Sequence, residues 1–245
     1  MDDLAARILY IDAHLLVLNK PAGLAVHPGP QTPESLEDHL YALREGFHRP
    51  PQPAHRLDRD TSGCLVLARN PRAHKKLTQL FMEGAIGKTY WALVDGAPEG
   101  DEGMVDAPLF KVSTRETGWR MIIDPRGKAA RTRWQVLERA SPHNGNRSTM
   151  AFMPETGRTH QVRVHAAALG CPITGDPVYG AGQGPMRLHA RQIIIPFTAG
   201  QPPVSVIAPL PAGGSYSFGS VVEIGSTFST PGSAKLPSTM LPRGR

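Results

Sequence analysis

Nine consecutive residues of this 245-residue chain crowd together two carboxylates, three cationic or ionisable side chains, two hydroxyls and a glycine: His55-Arg56-Leu57-Asp58-Arg59-Asp60-Thr61-Ser62-Gly63. An apolar run, Cys64 to Ala68, follows directly and reads as a buried strand. Polar groups set against a buried strand are costly unless they pair or carry out chemistry. Asp58-Arg59-Asp60-Thr61 has the D-x-D form of a phosphoaspartate loop, but such a loop normally follows its apolar strand, and here the strand comes after. A two-carboxylate glycosidase needs opposed side chains and a sugar-positioning surface, and nothing in the chain supplies the surface. For Asp60 the simpler role is to cap the turn through Thr61, Ser62 and Gly63. For Asp58 the residues alone leave chemistry and turn capping both open.

A second chemically dense stretch runs from Pro154 to Gly170, P-E-T-G-R-T-H-Q-V-R-V-H-A-A-A-L-G. Thr159 can cap a helix, and Gly170 with Pro172 can end it. Val162, Ala166 and Leu169 form the apolar face. Residues 159–165 also alternate like a strand, but the alanine run and the caps favour the helix. On that helix His160 and Arg163 share a face. His160 and His165 are five apart with no third ligand, so hydrogen bonding at the helix surface is expected and a metal site is not.

The elements that must position these stretches are short. Residues 8–19 read as a hairpin turning at Asp12-Ala13-His14. Ser35 opens a short helix with Asp38 three residues on and Leu36, Leu40 and Leu43 on one face. Gly46 to Pro53 is a proline-rich loop. Asn70-Pro71 starts a helix carrying Ala73, Leu77, Leu80 and Phe81, closed at Gly84. Lys88 to Val94 reads as a strand, and residues 104–139 as several antiparallel strands with turns at Pro108, Gly118 and Pro125-Arg126-Gly127. Gly175-Asp176-Pro177 is a turn, and Arg187 to Pro196 ends in a β-branched strand. From Ala212 the chain becomes rich in Gly, Ser, Pro and Thr, which predicts a flexible tail over 212–245 behind one domain spanning 1–211. The expected class is α+β: a mainly antiparallel mixed sheet, a few short flanking helices and a catalytic cleft.

Composition narrows the function. No apolar run is long enough for a transmembrane helix, and the acidic N-terminus lacks a secretory core, so a cytoplasmic protein without a membrane partner is expected. Cys64 and Cys171 read as two buried free thiols. No C-x-x-C or Cys/His cluster suggests zinc. Net charge is +6 with a pI near 9.6. Between 126 and 165, eight Lys and Arg residues face two acids, whereas residues 1–60 hold nine acids against six bases. That one-sided excess points to a polyanionic partner, most simply nucleic acid.

H-R-L-D-R-D-T-S-G (55–63) and G-R-T-H-Q-V-R-V-H-A-A-A-L-G-C-P-I-T-G-D-P-V-Y-G (157–180) resemble the signatures of RluA-type pseudouridine synthases. Residues 8–28 and K-T-Y-W-A-L-V-D-G (88–96) are similar to further family segments in the same order. The resemblance covers about residues 8–210 and implies the pseudouridine synthase-like fold. It implies Asp58 as nucleophile, Tyr90 against the target base, Arg163 paired with the carboxylate, and Arg56 displacing the nucleotide from its stack. His55, Arg59, Arg158 and His160 are expected beside Arg56 as RNA contacts. The implied reaction breaks the N-glycosidic bond of a uridine in rRNA or tRNA, turns the uracil and rejoins it through C5. It needs no cofactor and no metal, only a carboxylate acting at C1′ as nucleophile or at C2′ as base. With no small RNA-binding module before Ile8, a stand-alone, monomeric enzyme without a protein partner is expected. The rival reading is a catalytically idle RNA-binding or ribosome-assembly protein on the same scaffold.

Overall fold

The computed structural model describes residues 4–211 apart from 30, 31, 33, 116 and 117, so the expected tail at 212–245 lies outside the described residues. The N-terminal hairpin is β1 (Ile8–Ile11) against β2 (Leu15–Lys20). The Asp12 carboxylate closes its turn by accepting the backbone N–H groups of His14 and Leu15 at 2.6 and 2.8 Å. β3 (Gln52–Pro53) and β4 (Ser62–Ala68) follow, then α1 (Pro71–Met82) and β5 (Gly87–Asp95). α1 starts as the sequence predicts: the Asn70 side chain accepts the Ala73 N–H at 2.9 Å, and Pro71 needs no donor there.

Four strands of the second half are β6 (Glu102–Asp106), β7 (Leu109–Thr114), β8 (Gly118–Ile123) and β9 (Arg131–Glu138). They are followed by β10 (Arg147–Pro154), α2 (Gln161–Ala168), β11 (Leu188–Ile195) and β12 (Val204–Ile207). Among the described residues, ten of the twelve strands make one sheet ordered β1-β2-β4-β11-β5-β10-β9-β6, with β12 beside β11 and β3 beside β4. β7 and β8 form a separate two-stranded ribbon. The β4–β11 pair is parallel and the other ladders are antiparallel. The α+β class with a mainly antiparallel sheet is therefore what the chain adopts.

Leu15–Leu18 of β2 and Cys64–Ala68 of β4 are unbroken apolar runs because both faces of the sheet are covered there. Leu15, Val17, Cys64, Val66 and Ala68 pack under Ala73 and Leu77 of α1. Leu16, Leu18, Leu65 and Leu67 pack on the other face against Leu36, Leu40, Leu43 and Leu57. The first three of these lie on the element over Leu36–Leu43, which is a 3-10 helix opened by the predicted Ser35–Asp38 capping box. In the second half α2 lays Val162 and Ala166 on Ala92, Val94, Met150 and Phe152. Cys64 and Cys171 are buried and free, as expected.

Several expectations change. β10 and the short β3 and β12 carry no period or turn signal strong enough to be read, and tertiary pairing makes them strands. α2 begins at Gln161 rather than at a Thr159 cap, and its N-cap position is His160, in the left-handed region at φ 54°. His165 is no surface residue: it is fully buried, its Nδ1 facing Thr132 Oγ1 at 2.9 Å and its Nε2 the Ala107 carbonyl at 3.1 Å.

Candidate active site

The two dense stretches meet at the centre of the sheet. The 54–61 loop lies between β3 and β4, and the turn into α2 faces it across a cleft of about 670 Å³, with Tyr90 of β5 also in its wall. Asp58 and Arg163, 105 positions apart, are joined by a bond from Arg163 Nη1 to Asp58 Oδ2 at 3.1 Å. The guanidinium is itself fixed from behind. Arg163 Nε and Nη2 donate to Asp176 Oδ2 and Oδ1 at 2.7 and 2.8 Å, a bidentate pair on a fully buried carboxylate. Asp176 Oδ1 also accepts the N–H groups of Val178 and Tyr179 at 2.9 and 3.1 Å. A planar fork held at two corners has its third aimed, so Asp58 Oδ2 receives a charge-assisted bond from a fixed direction.

Burial alone would lower the Arg163 pKa and raise that of Asp176. Their mutual bonds win, so the guanidinium is held above its ordinary value and the Asp176 carboxyl below its own. The Tyr90 phenol is held well above its ordinary range by burial, then by the negative charge of Asp58, so it stays protonated and can donate.

The loop is pinned from below by Lys20, at the end of β2 and fully buried. Its ammonium donates to the carbonyls of Pro21 and Leu24, both at 2.7 Å, and of Arg59 at 2.9 Å. Burial pushes its pKa down to about 7, against the pull of Asp60 and Asp58. The Thr61 N–H closes the turn on the Asp58 carbonyl at 3.1 Å. Asp60 takes its bonds from the Arg59 guanidinium, at 3.1 and 3.4 Å, and the Ser62 hydroxyl pairs with His189 Nδ1 at 2.9 Å. The expected Asp60 cap on Thr61 and Ser62 is thus replaced by an exposed ion pair. Gly63 is required where it stands: at φ 103°, a Cβ would lie 2.3 Å from the Ala190 carbonyl oxygen of β11.

The expected RNA contacts divide. Arg56 is exposed in the cleft wall, and Arg158 lines the cleft while its Nε donates to the Ala129 carbonyl at 3.0 Å. Lys88, not foreseen, also lines it, bonded to the Thr156 carbonyl at 3.1 Å, its pKa lowered by burial to about 8. His55 is in the wall but serves the scaffold: its Nε2 accepts the Val66 N–H at 3.0 Å, and its ring stacks on Phe81 with centroids 4.4 Å apart. Burial, then the charge of Lys88, pushes its pKa down to about 3, which keeps that nitrogen an acceptor. Arg59 lies outside the cleft lining, paired with Asp60. His160 faces the 54–61 loop, its Nε2 3.7 Å from Asp58 Oδ2.

The basic run at 126–165 is less lopsided in space than in sequence. Arg126, Arg131, Arg139 and Arg147 meet Asp124, Asp106, Asp101 and Asp95, all outside that window, and Arg133 meets Glu155. Sequence reasoning missed Lys20, Asp176 and Lys88. Asp176 sits in a turn signal that conceals its burial, and a lone lysine at a strand end has no distinguishing pattern.

The geometry has relatives. The family described as RNA pseudouridylate synthase matches residues 14–168. An uncharacterised RNA pseudouridine synthase of Zymomonas mobilis is 48% identical over 216 residues, 86% of this chain and 96% of the relative. The ribosomal large subunit pseudouridine synthase D of the same organism is 40% identical over 185 residues, 73% of this chain and 57% of that longer relative. Among solved structures, human RNA pseudouridylate synthase domain containing 4 superposes with a TM-score of 0.71 at 28% identity, covering 85% of this chain and 90% of its own. The chain belongs to the RNA pseudouridylate synthase family, whose members are isomerases of uridine in RNA.

Proposed function

We propose that this protein converts uridine to pseudouridine in ribosomal RNA, transfer RNA or both, acting as a cytoplasmic monomer with residues 1–211 as its catalytic unit. Asp58 is the catalytic carboxylate, Tyr90 lies against the extruded uracil, and Arg163 aims the carboxylate. Arg56, Lys88 and Arg158 receive the RNA backbone. The observation that carries this reading is the Arg163–Asp58 bond at 3.1 Å, in a cleft that Tyr90 also lines. A base must leave its stack to reach such a recessed carboxylate, and a cleft with cations in its wall suits an extruded nucleotide. The oxygen of Asp58 that does not face Arg163 is available to attack C1′ or to take the C2′ proton, and the Tyr90 hydroxyl can donate or relay a proton at C5. The name of the longer Zymomonas relative supports ribosomal RNA as a substrate.

The test is single-turnover release of tritium from rRNA and tRNA labelled at uracil C5, with RNA binding measured in parallel. The parent should release tritium. Asp58→Asn, nearly isosteric but without a nucleophilic carboxylate, should release none while still binding RNA. Asp60→Asn, altered only at an exposed ion pair, should remain active. An Asp58→Asn protein that turns over like the parent removes Asp58 from the chemistry.

A further inference from the structure

His160 carries more constraint than an RNA contact needs. Its backbone is left-handed at φ 54°, a conformation uncommon for residues with a Cβ, though asparagine, aspartate and histidine adopt it more often than the rest. Its ring has three neighbours. Nδ1 lies 2.9 Å from the Tyr179 hydroxyl, one face stacks on Trp119 with centroids 4.9 Å apart, and Nε2 points at Asp58 Oδ2 from 3.7 Å. Trp119 is at the start of β8, so the stack ties the β7–β8 ribbon to the cleft. The ribbon is tied a second time: the Met121 N–H donates to the Tyr179 hydroxyl at 2.9 Å.

These contacts select one tautomer. The Tyr179 oxygen already accepts the Met121 proton, and burial keeps the phenol protonated. If the phenol donates to Nδ1, its proton has a partner and the imidazole proton sits on Nε2, facing the Asp58 carboxylate. With the other tautomer, two acceptors face each other across 3.7 Å and the phenol proton loses Nδ1 as its acceptor. Burial lowers the ring's pKa to about 4 against the pull of Asp58, so the neutral form prevails near neutral pH.

We propose that His160 is a positioning residue for Asp58: Tyr179 holds it with its proton on Nε2, and the β7–β8 ribbon steers that proton toward the carboxylate. The separation of 3.7 Å is too long for a hydrogen bond, and closing it by under about 1 Å makes one. Catalytic bonds commonly tighten to that extent when substrate binds. The outer surface of Trp119 is 44% exposed, and the Lys111 ammonium lies 4.9 Å from its ring centre. An RNA strand lying on the ribbon would load the stack and press His160 inward. Asp58 would then be fixed by Arg163 and His160 together, leaving its other oxygen to react.

The turnover arm of the test rests on the synthase reading above; the tautomer arm does not. His160→Gln places an amide N–H near the former Nε2, whereas His160→Asn reaches only as far as Nδ1. Asparagine, however, tolerates the left-handed backbone better. A purely structural role therefore ranks Asn at or above Gln, and a positioning role ranks Gln above Asn. At saturating RNA, His160→Asn should lower the single-turnover rate by about 10- to 100-fold with little change in RNA affinity, and His160→Gln should stay much nearer the parent. Asn equal to or better than Gln overturns the proposal, as does loss of activity in both. The second measurement needs no variant to fold well: nitrogen-15 histidine spectra of the parent near pH 7 should show His160 protonated on Nε2 alone. A proton on Nδ1 overturns the proposal even if the parent proves inactive on every RNA tried, and that inactivity would itself refute only the synthase reading.

Discussion

Asp176→Asn tests how the Asp58 carboxylate is aimed without touching it. The replacement has nearly the same shape. Its amide oxygen can keep the bonds from Val178, Tyr179 and Arg163 Nη2 that converge on Oδ1. Its amide nitrogen then stands where Oδ2 accepted Arg163 Nε at 2.7 Å, placing donor against donor beside a guanidinium that is 7% exposed. Removing one partner of a buried ion pair costs about 3–5 kcal/mol, and because Asp58 still offsets part of the charge the low end, about 3 kcal/mol, is expected here. For a domain of this size that is roughly 6–12 °C in Tm. The sign with pH follows from the depressed carboxyl of Asp176. Its stabilisation is complete above the unfolded carboxylate value of about 3.9 and is lost as pH falls through the lower folded value. Thermal melts of parent and variant should therefore differ fully at neutral pH and converge under acid. Single-turnover rates should fall in the variant because Arg163 is freed to turn. A Tm loss below about 2 °C at neutral pH, equivalent to about 1 kcal/mol or less, would refute the view that Asp176 is the anchor.

Three shorter predictions follow from other parts of the site. Gly63→Ala should destabilise the fold by on the order of 3 kcal/mol, since its Cβ meets the Ala190 backbone at 2.3 Å; a denaturant midpoint shift worth under about 1 kcal/mol would contradict that clash. Tyr90→Phe should keep RNA affinity and lose turnover, measured by the same tritium release, and full activity would restrict Tyr90 to stacking. RNA affinity should fall with salt at a log–log slope of roughly −2 to −3, as expected for three or four backbone contacts by Arg56, Lys88, Arg158 and a neighbour. A flat response, read by filter binding across a salt series, would mean that the cleft cations do not receive the backbone.

What was legible in the sequence were the parts whose signal is local. The Asp12 turn, the Ser35–Asp38 box, the Asn70-Pro71 start and the β4 run each specify themselves within a few residues, and each is present. The fold class followed from the dominance of short strands, and Asp58 and Arg163 came from motifs and do meet. The remainder depends on contacts between distant segments. Asp176 looks like a turn residue until the fold buries it under Arg163. The basic run at 126–165 looks unbalanced until Asp95 and Asp106 from earlier strands, Asp101 just before β6 and, two residues ahead of Arg126, Asp124 pair with it. Thr159 has the better capping side chain, yet His160 takes the cap position, because its ring is held from three sides after the chain closes.

The position of β11 in the sheet bears on how the protein is made. It fills the gap between β4 and β5, and its contacts reach back 127 positions, as from His189 to Ser62. Until the ribosome has released that segment, the second half of the sheet ends in an unpaired β5 edge, and the first half leaves the Ser62–Gly63 end of β4 open, since β3 covers only Leu67 and Ala68. Such edges are templates for pairing with other chains, and the closing contact is slow to find because it spans so much of the sequence. A nascent chain stopped short of Leu188 is thus an aggregation-prone client for chaperones. The halves that bring Asp58 and Arg163 together are joined through the sheet only once β11 has been made.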